Sequence, residues 1–343
     1  MKKFNEIFID KTKYGEKIQT SEYEKQGKHI IVDQGQAEIA GYTNREEGLF
    51  NEVPVIIFGD HTRLIKYIDE PFFLGADGVK VLRSKEKNAN YKYLYYALKS
   101  AKIPNTGYNR HFKWLKDVEI NYPDSVKQEK IVDILDRVSD VIEKRKAELS
   151  YLDILIKARF VEMFGDPIIN SKGLETKELN EVLVLKAGDF TAASDISVEP
   201  TEINIYPCYG GNGIRGYVAE YNQEGEYSLV GRQGALSGNV QYATGKFKNT
   251  EHALLVKPII RMNSIWLNQL LLNLDLKRYQ TGAAQPGLSV KNLQDIQIIM
   301  VPIDEQRQFA AFVNEIDKSK SAVKKALDET QLLFDSLMQE YFG

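Results

Sequence analysis

From residue 131 the apolar positions step by four and three: Ile131, Leu135, Val138, Ile142, Arg145, Leu149, Leu152, Ile156, Arg159 and Met163. Eight of these ten are apolar, the spacing that lays one stripe along a helix and predicts a coiled-coil seam. Adding 178 to each number gives Phe309, Val313, Ile316, Lys320, Val323, Leu327, Thr330, Phe334, Leu337 and Tyr341, again eight apolar of ten. No Gly or Pro interrupts either run and both close on Phe-Gly, so each predicts a single helix about 55–60 Å long. Elsewhere the pattern is different. Short β-branched runs (Ile30-Ile31-Val32, Val53-Pro54-Val55-Ile56-Ile57-Phe58, and 296–301) are punctuated by Gly59, Gly75, Gly78, Gly231, Gly234 and Gly238, which reads as α+β.

The globular stretches repeat as well. Gln34-Gly35-Gln36-Ala37-Glu38-Ile39-Ala40-Gly41-Tyr42 is answered by Tyr209-Gly210-Gly211-Asn212-Gly213-Ile214-Arg215-Gly216-Tyr217, and Ile57-Phe58-Gly59-Asp60 by Leu229-Val230-Gly231-Arg232. Asn90 ahead of Leu94 and Leu98, and Asn263 ahead of Leu267 and Leu271, each suit the N-cap of a short helix. Thr106-Gly107 and Thr281-Gly282 follow in the same order, then Leu115-Lys116-Asp117-Val118 and Leu293-Gln294-Asp295-Ile296. A duplicated chain is expected, with a globular domain over 1–124, a helix over 125–165, a second domain over 166–303 and a second helix over 304–343. The stretch 170–185 has no evident partner in the first half. A lone heptad helix would favour dimerisation between chains. Two in one polypeptide favour pairing with each other, because tethering raises their effective concentration. An antiparallel pair would set the domains at opposite ends of a rod, about a pseudo-two-fold axis like that of duplex DNA, with half-sites about one helical turn apart.

Taken in order, these strings resemble the specificity subunit of type I restriction–modification enzymes. The resemblance is carried by Gln128-Glu129-Lys130-Ile131-Val132-Asp133-Ile134-Leu135-Asp136 and Glu305-Gln306-Arg307-Gln308-Phe309 entering the long helices, and by Met163-Phe164-Gly165-Asp166-Pro167 at the junction. It is also carried by Ile57-Phe58-Gly59-Asp60-His61-Thr62-Arg63, Gly107-Tyr108-Asn109-Arg110-His111-Phe112 and the stretch 281–290. It implies two target-recognition domains, each contacting half of a split sequence in double-stranded DNA, with the helices as spacer. It implies two modification (methyltransferase) subunits using S-adenosylmethionine to methylate adenine, and restriction subunits that translocate with ATP and cleave. This chain itself would bind no cofactor and perform no catalysis. The alternative is a structural adaptor whose coiled-coil rod holds partner proteins.

Charge first speaks against a nucleic-acid partner. The formal net charge is −3, split as +2 over 1–165 and −5 over 166–343, whereas a solitary DNA binder is usually basic. Partner subunits that clamp the phosphates would remove the objection, and the isolated chain should then bind DNA weakly. Gly211-Asn212-Gly213-Ile214-Arg215-Gly216 spells a dinucleotide fingerprint, but strand-like residues follow it where a helix is required. Asp166-Pro167-Ile168 lacks the second proline and the aromatic of an adenine-methyltransferase motif and reads as a helix stop. Four histidines (His29, His61, His111, His252) lack metal spacing, and the single Cys208 can form neither an internal disulfide nor a zinc site. Hydrophobic residues at 43% and charged residues at 27% are ordinary globular values; with no membrane-length apolar run, a cytoplasmic protein is expected.

Reading DNA takes Arg or Lys toward guanine and Asn or Gln toward adenine, on loops that can approach closely. The candidates are Gln34, Gln36, Thr43, Arg45, His61, Thr62, Arg63, Asn109, Arg110 and His111 in the first half. In the second they are Asn212, Arg215, Arg232, Gln233, Ser237, Asn239, Gln285 and Ser289. The same loops are polar in both halves while their identities differ, as two readers with different targets require. The corner at His61-Thr62-Arg63 could instead be a salt bridge with Asp60 or Asp77. Arg145 and Arg159 read as structural groups on the seam, paired with acids of the second helix or fixing its register. The aromatic residues read as core and interface.

Overall fold

The computed structural model describes residues 1–75, 78–282 and 286–343. The chain forms two compact units, one from residues 1–146 with 325–343, the other from 147–324. Each unit thus combines one globular portion with a piece of each long helix, Ser125–Phe164 and Ile303–Phe342.

In the first unit a four-stranded antiparallel sheet runs in the order Phe8–Asp10, Val79–Ser84, Val55–Gly59, Ile65–Ile68. Strand Val55–Gly59 is apolar at successive positions because both its faces are covered. Ile56 and Phe58 pack with helix residues Leu94, Leu98, Leu135 and Phe334, while Val55 and Ile57 pack with Val32, Phe72 and Leu74 of a second sheet. That second sheet orders Gly41–Thr43, His29–Val32, Phe72–Leu74, the last pair parallel.

The second unit repeats this order as Leu183–Ala187, Ala253–Pro258, Gln223–Gly231, Val240–Asn249, then continues through Tyr206–Gly210 to Gly213–Val218. The ten-residue strand Val240–Asn249 joins what are two sheets in the first unit. Its counterpart there is broken into Ile65–Ile68 and Phe72–Leu74, with Pro71 between them. Proline lacks the N–H that a continuous ladder needs, which accounts for the break.

The repeat extends further than the sequence reading allowed. Thr176–Glu178, helix Leu179–Val182 and Leu183–Ala187 have direct counterparts in Lys2–Lys3, helix Phe4–Ile7 and Phe8–Asp10. Each of the two edge pairs closes on the strand that precedes a long helix, Glu119–Ile120 in one unit and Gln297–Ile299 in the other. The stretch 170–185 therefore does have a partner from residue 176 onward. Both predicted caps form: Asn90 accepts from the Tyr93 amide and Asn263 from the Trp266 amide, each at 3.0 Å.

Every predicted seam position on both long helices is buried or half-buried. Within the second unit the helix segments run antiparallel, since Asp153 meets Lys320 at 2.6 Å while Phe160 and Phe164 meet Phe309 at ring separations of 5.5 and 5.6 Å. In the first unit the Arg145 guanidinium donates to the Ala326 carbonyl and the Thr330 hydroxyl. Among the described residues, no acid of the second helix is paired with either seam arginine. Arg159 pairs with Glu162 of its own helix at 2.8 Å and lies over Phe312. The first helix stops at Gly165, whose φ of +78° is open to glycine at little cost.

Candidate nucleic-acid interface

In each unit the buried central strand delivers its last residues into a loop cluster, where most of the sequence candidates lie. In the first unit strand Val55–Gly59 ends at Gly59 and Asp60 follows it. The Asp60 carboxylate accepts from the Phe112 amide at 2.7 Å, and its carbonyl accepts from the His111 amide at 2.8 Å and meets His111 Nδ1 at 3.0 Å. The corner is therefore tied by amide and carbonyl contacts; Asp77 lies outside the described residues. Gln34 accepts from the His61 amide at 3.1 Å, and Thr62 Oγ1 donates to the Gln34 carbonyl at 2.7 Å. Arg63 adopts φ +63° and reaches the Ile103 carbonyl at 3.3 Å. The loop 33–37 is clamped from beneath by Lys66, 7% exposed, whose ammonium donates to the carbonyls of Asp33 (2.8 Å) and Ala37 (2.6 Å). Burial pushes the Lys66 pKa down, against the pull of the Asp33 and Glu38 carboxylates. Lys66→Met should cost about 1–3 kcal/mol, the penalty for leaving buried carbonyls unpaired, visible in the denaturation midpoint. It should also loosen loop 33–37, seen as faster amide exchange there; unchanged exchange would refute the clamp.

In the second unit Gly231 lies so close to Gly211 that a Cβ on it would sit 2.5 Å from the Gly211 carbonyl oxygen. Only glycine allows the end of strand Gln223–Gly231 to touch the hairpin turn between Tyr206–Gly210 and Gly213–Val218. That contact assembles the cluster. Asn239 Nδ2 donates to Asn212 Oδ1 at 2.7 Å, Gln233 Oε1 meets His252 Nδ1 at 3.1 Å, and Arg232 Nη1 donates to the Glu251 carbonyl at 3.0 Å. Gln233 also bridges to Gly287. Arg215 lies against Gly210. The dinucleotide-like string is thus a β-hairpin with no helix after it.

Not every candidate faces outward. Thr43 (6% exposed) accepts from the Arg45 amide, His111 (0%) is held by Asp60, and Ser237 (0%) donates to the Gly234 carbonyl. These three hold loops from inside rather than facing a duplex. Ser289 caps helix Val290–Leu293, and Arg45 is engaged by Glu16 at 2.6 Å. Gln36, Asn109 and Arg110 are exposed, and Gln285 lies outside the described residues. Sequence reasoning missed Tyr108, 88% exposed and stacked face to face on His61 with centroids 4.6 Å apart. Its position between Gly107 and Asn109 in a polar loop was the available signal.

Among the described residues no group of His, Cys, Asp and Glu could hold a metal, and no helix is long and apolar enough to cross a membrane.

The chain matches the family described as type I restriction modification DNA specificity domain over residues 1–151 and again over 171–330. The specificity subunit of the Escherichia coli type I restriction enzyme EcoprrI is 36% identical over 200 residues, 57% of this chain and 50% of that protein. This chain therefore spans about half the length of that relative. The type I S subunit of Mycoplasma genitalium superposes with a TM-score of 0.62 at 20% identity, covering 100% of this chain and 95% of that one. A structure described in terms of complex assembly and conformational transition of the type I R-M system gives 0.53 at 16% identity, covering 99% and 96%. With the domain present twice and the same fold in solved members, the chain belongs to the type I restriction–modification DNA specificity family.

Proposed function

We propose that this chain is the sequence-reading subunit of a type I restriction–modification complex, each unit reading one half of a bipartite DNA target and the long helices setting the spacing. One observation carries the reading: the same scaffold ends in different polar groups at the same place. Asp60-His61-Thr62 stands where the second unit has Arg232-Gln233-Gly234. A repeat kept only for structure would have no reason to diverge there, whereas two readers of unlike half-sites must.

Partners follow from the same duplication. Ile154 and Leu155 are 58% and 45% exposed on the first long helix; Leu332 and Leu333, 178 residues on, are 69% and 51% exposed on the second. Twice-presented apolar pairs suit two copies of one partner, in this reading the methyltransferase subunits that carry S-adenosylmethionine. Restriction subunits would add ATP-driven translocation and cleavage. This chain supplies base discrimination and no chemistry, so the cofactors sit in the partners.

The test is to replace residues 1–124 with the equivalent stretch of another family member and map methylated adenines across the host genome. One half of the methylated sequence should change while the other half and the spacing persist. An adaptor that merely holds partners would leave the methylated sequence untouched, and that result would sink the proposal.

A further inference from the structure

We infer that the first unit grips the DNA backbone through one basic surface, Arg110, Lys113 and Lys116, of which the second unit keeps only a single charge. The inference rests on the DNA reading above and adds the phosphate-contacting groups to it.

The surface lies beside the polar cluster and is rigidly joined to it. Asp60 follows strand Val55–Gly59 and precedes His61 and Thr62, and it holds both His111 and the amide of Phe112, the first residue of helix Phe112–Leu115. Arg110, Lys113 and Lys116 are exposed, and among the described residues none of them makes an ion pair. Lys80, which lines the same depression, faces Asp10 at 3.6 Å; elsewhere in the unit Lys11 and Arg83 share Glu52 and Lys92 meets Asp136 at 2.6 Å. The acids lining the same depression are Asp60, buried and already bonded, and the exposed Asp117. Lys113 and Lys116 are three apart on one helical face. Their ammonium groups lie over aromatic rings, Trp114 at 4.1 Å and Phe112 at 4.8 Å, which limits the freedom they lose on contact. Unpaired cations fixed next to base-reading loops are what a phosphate backbone requires.

The repeat supplies the contrast. With Phe112 matched to Val290, Lys113 corresponds to Lys291 but Lys116 corresponds to Gln294, and Pro286-Gly287-Leu288 occupies the stretch where Arg110 stands. The uneven charge of the two halves, +2 against −5, runs the same way.

The test uses the full chain and a thirty-base-pair duplex of arbitrary sequence, with binding followed by anisotropy from low to moderate salt. R110Q/K113Q/K116Q should lower the slope of log K against log salt by about 2–3, since each neutralised phosphate contributes roughly 0.9. K291Q should lower it by about 1 or less. K127Q/K130Q/K157Q, which removes equal charge from the first long helix, should leave it unchanged. The inference is overturned if the first variant keeps the wild-type slope while melting normally, or if the helix variant shows the same fall. Absence of any duplex binding by the wild type at low salt would overturn the DNA reading along with it, a result distinct from either.

Discussion

Phe309→Ala is expected to cost the second unit about 3–5 kcal/mol, as removal of a fully buried aromatic usually does. Phe309 is 0% exposed and meets Phe160 and Phe164 edge-on, and Phe164 in turn meets Trp266 at 6.2 Å. Three elements converge on this ring: both long helices and the short helix Ser264–Asn273. Collapse into the vacancy would have to move all three, so the cavity stays largely open and the cost lies at the upper part of the range. Since a domain holds only about 5–15 kcal/mol in total, a large loss of denaturation midpoint follows. Leu332→Ala, at a 69% exposed position on the same helix, should stay within about 0.5 kcal/mol. If the two variants lost equal stability, the ring cluster could not be the centre of the second unit's core.

The second large effect is expected at Arg232. Its backbone is fixed on both sides, by the amide donating to the His252 carbonyl at 3.0 Å and by the carbonyl accepting from the Leu288 amide at 2.8 Å. Its guanidinium is positioned by one bond to the Glu251 carbonyl. In the reading proposed above, an arginine held at this point, next to Gln233, would meet a guanine edge, a contact that discriminates by about 1–3 kcal/mol. Arg232→Lys keeps the charge and loses the guanidinium's fork of donors. In the methyltransferase complex proposed above, the variant should methylate the cognate duplex about 10–100-fold more slowly. On a duplex already altered in the second half-site, little further loss is expected. An equal fall on both duplexes would place Arg232 outside base reading.

The long helices were legible because their pattern is long: ten positions stepping by four and three leave no strand interpretation. Strand Val55–Gly59 was legible for the related reason that a strand buried on both faces must be apolar at every position. The Asn caps were legible because their signal is local. What stayed hidden depended on contacts between distant residues. Lys3-Phe4-Asn5-Glu6-Ile7-Phe8 and Glu178-Leu179-Asn180-Glu181-Val182-Leu183 are plainly related once the sheet places them together. Each is short, and each acquires its meaning from an edge strand more than a hundred residues away. Lys66 looks in sequence like the polar member of an alternating strand; that it turns inward follows from two carbonyls of a loop that precedes it by some thirty residues. Thr43, His111 and Ser237 show the same limit from the opposite side. A polar residue in a glycine-rich loop has one appearance in sequence whether it faces a ligand or stitches the loop to its own backbone. Tyr108 was lost among the many aromatic residues that do build the core.

The interleaving of the units also bears on how the chain is made. Phe334, 6% exposed, fills the first unit's core beside Ile142 and Tyr96, yet it is translated only after all of residues 147–324. On the ribosome the first unit's core therefore lacks one wall until the later unit has emerged.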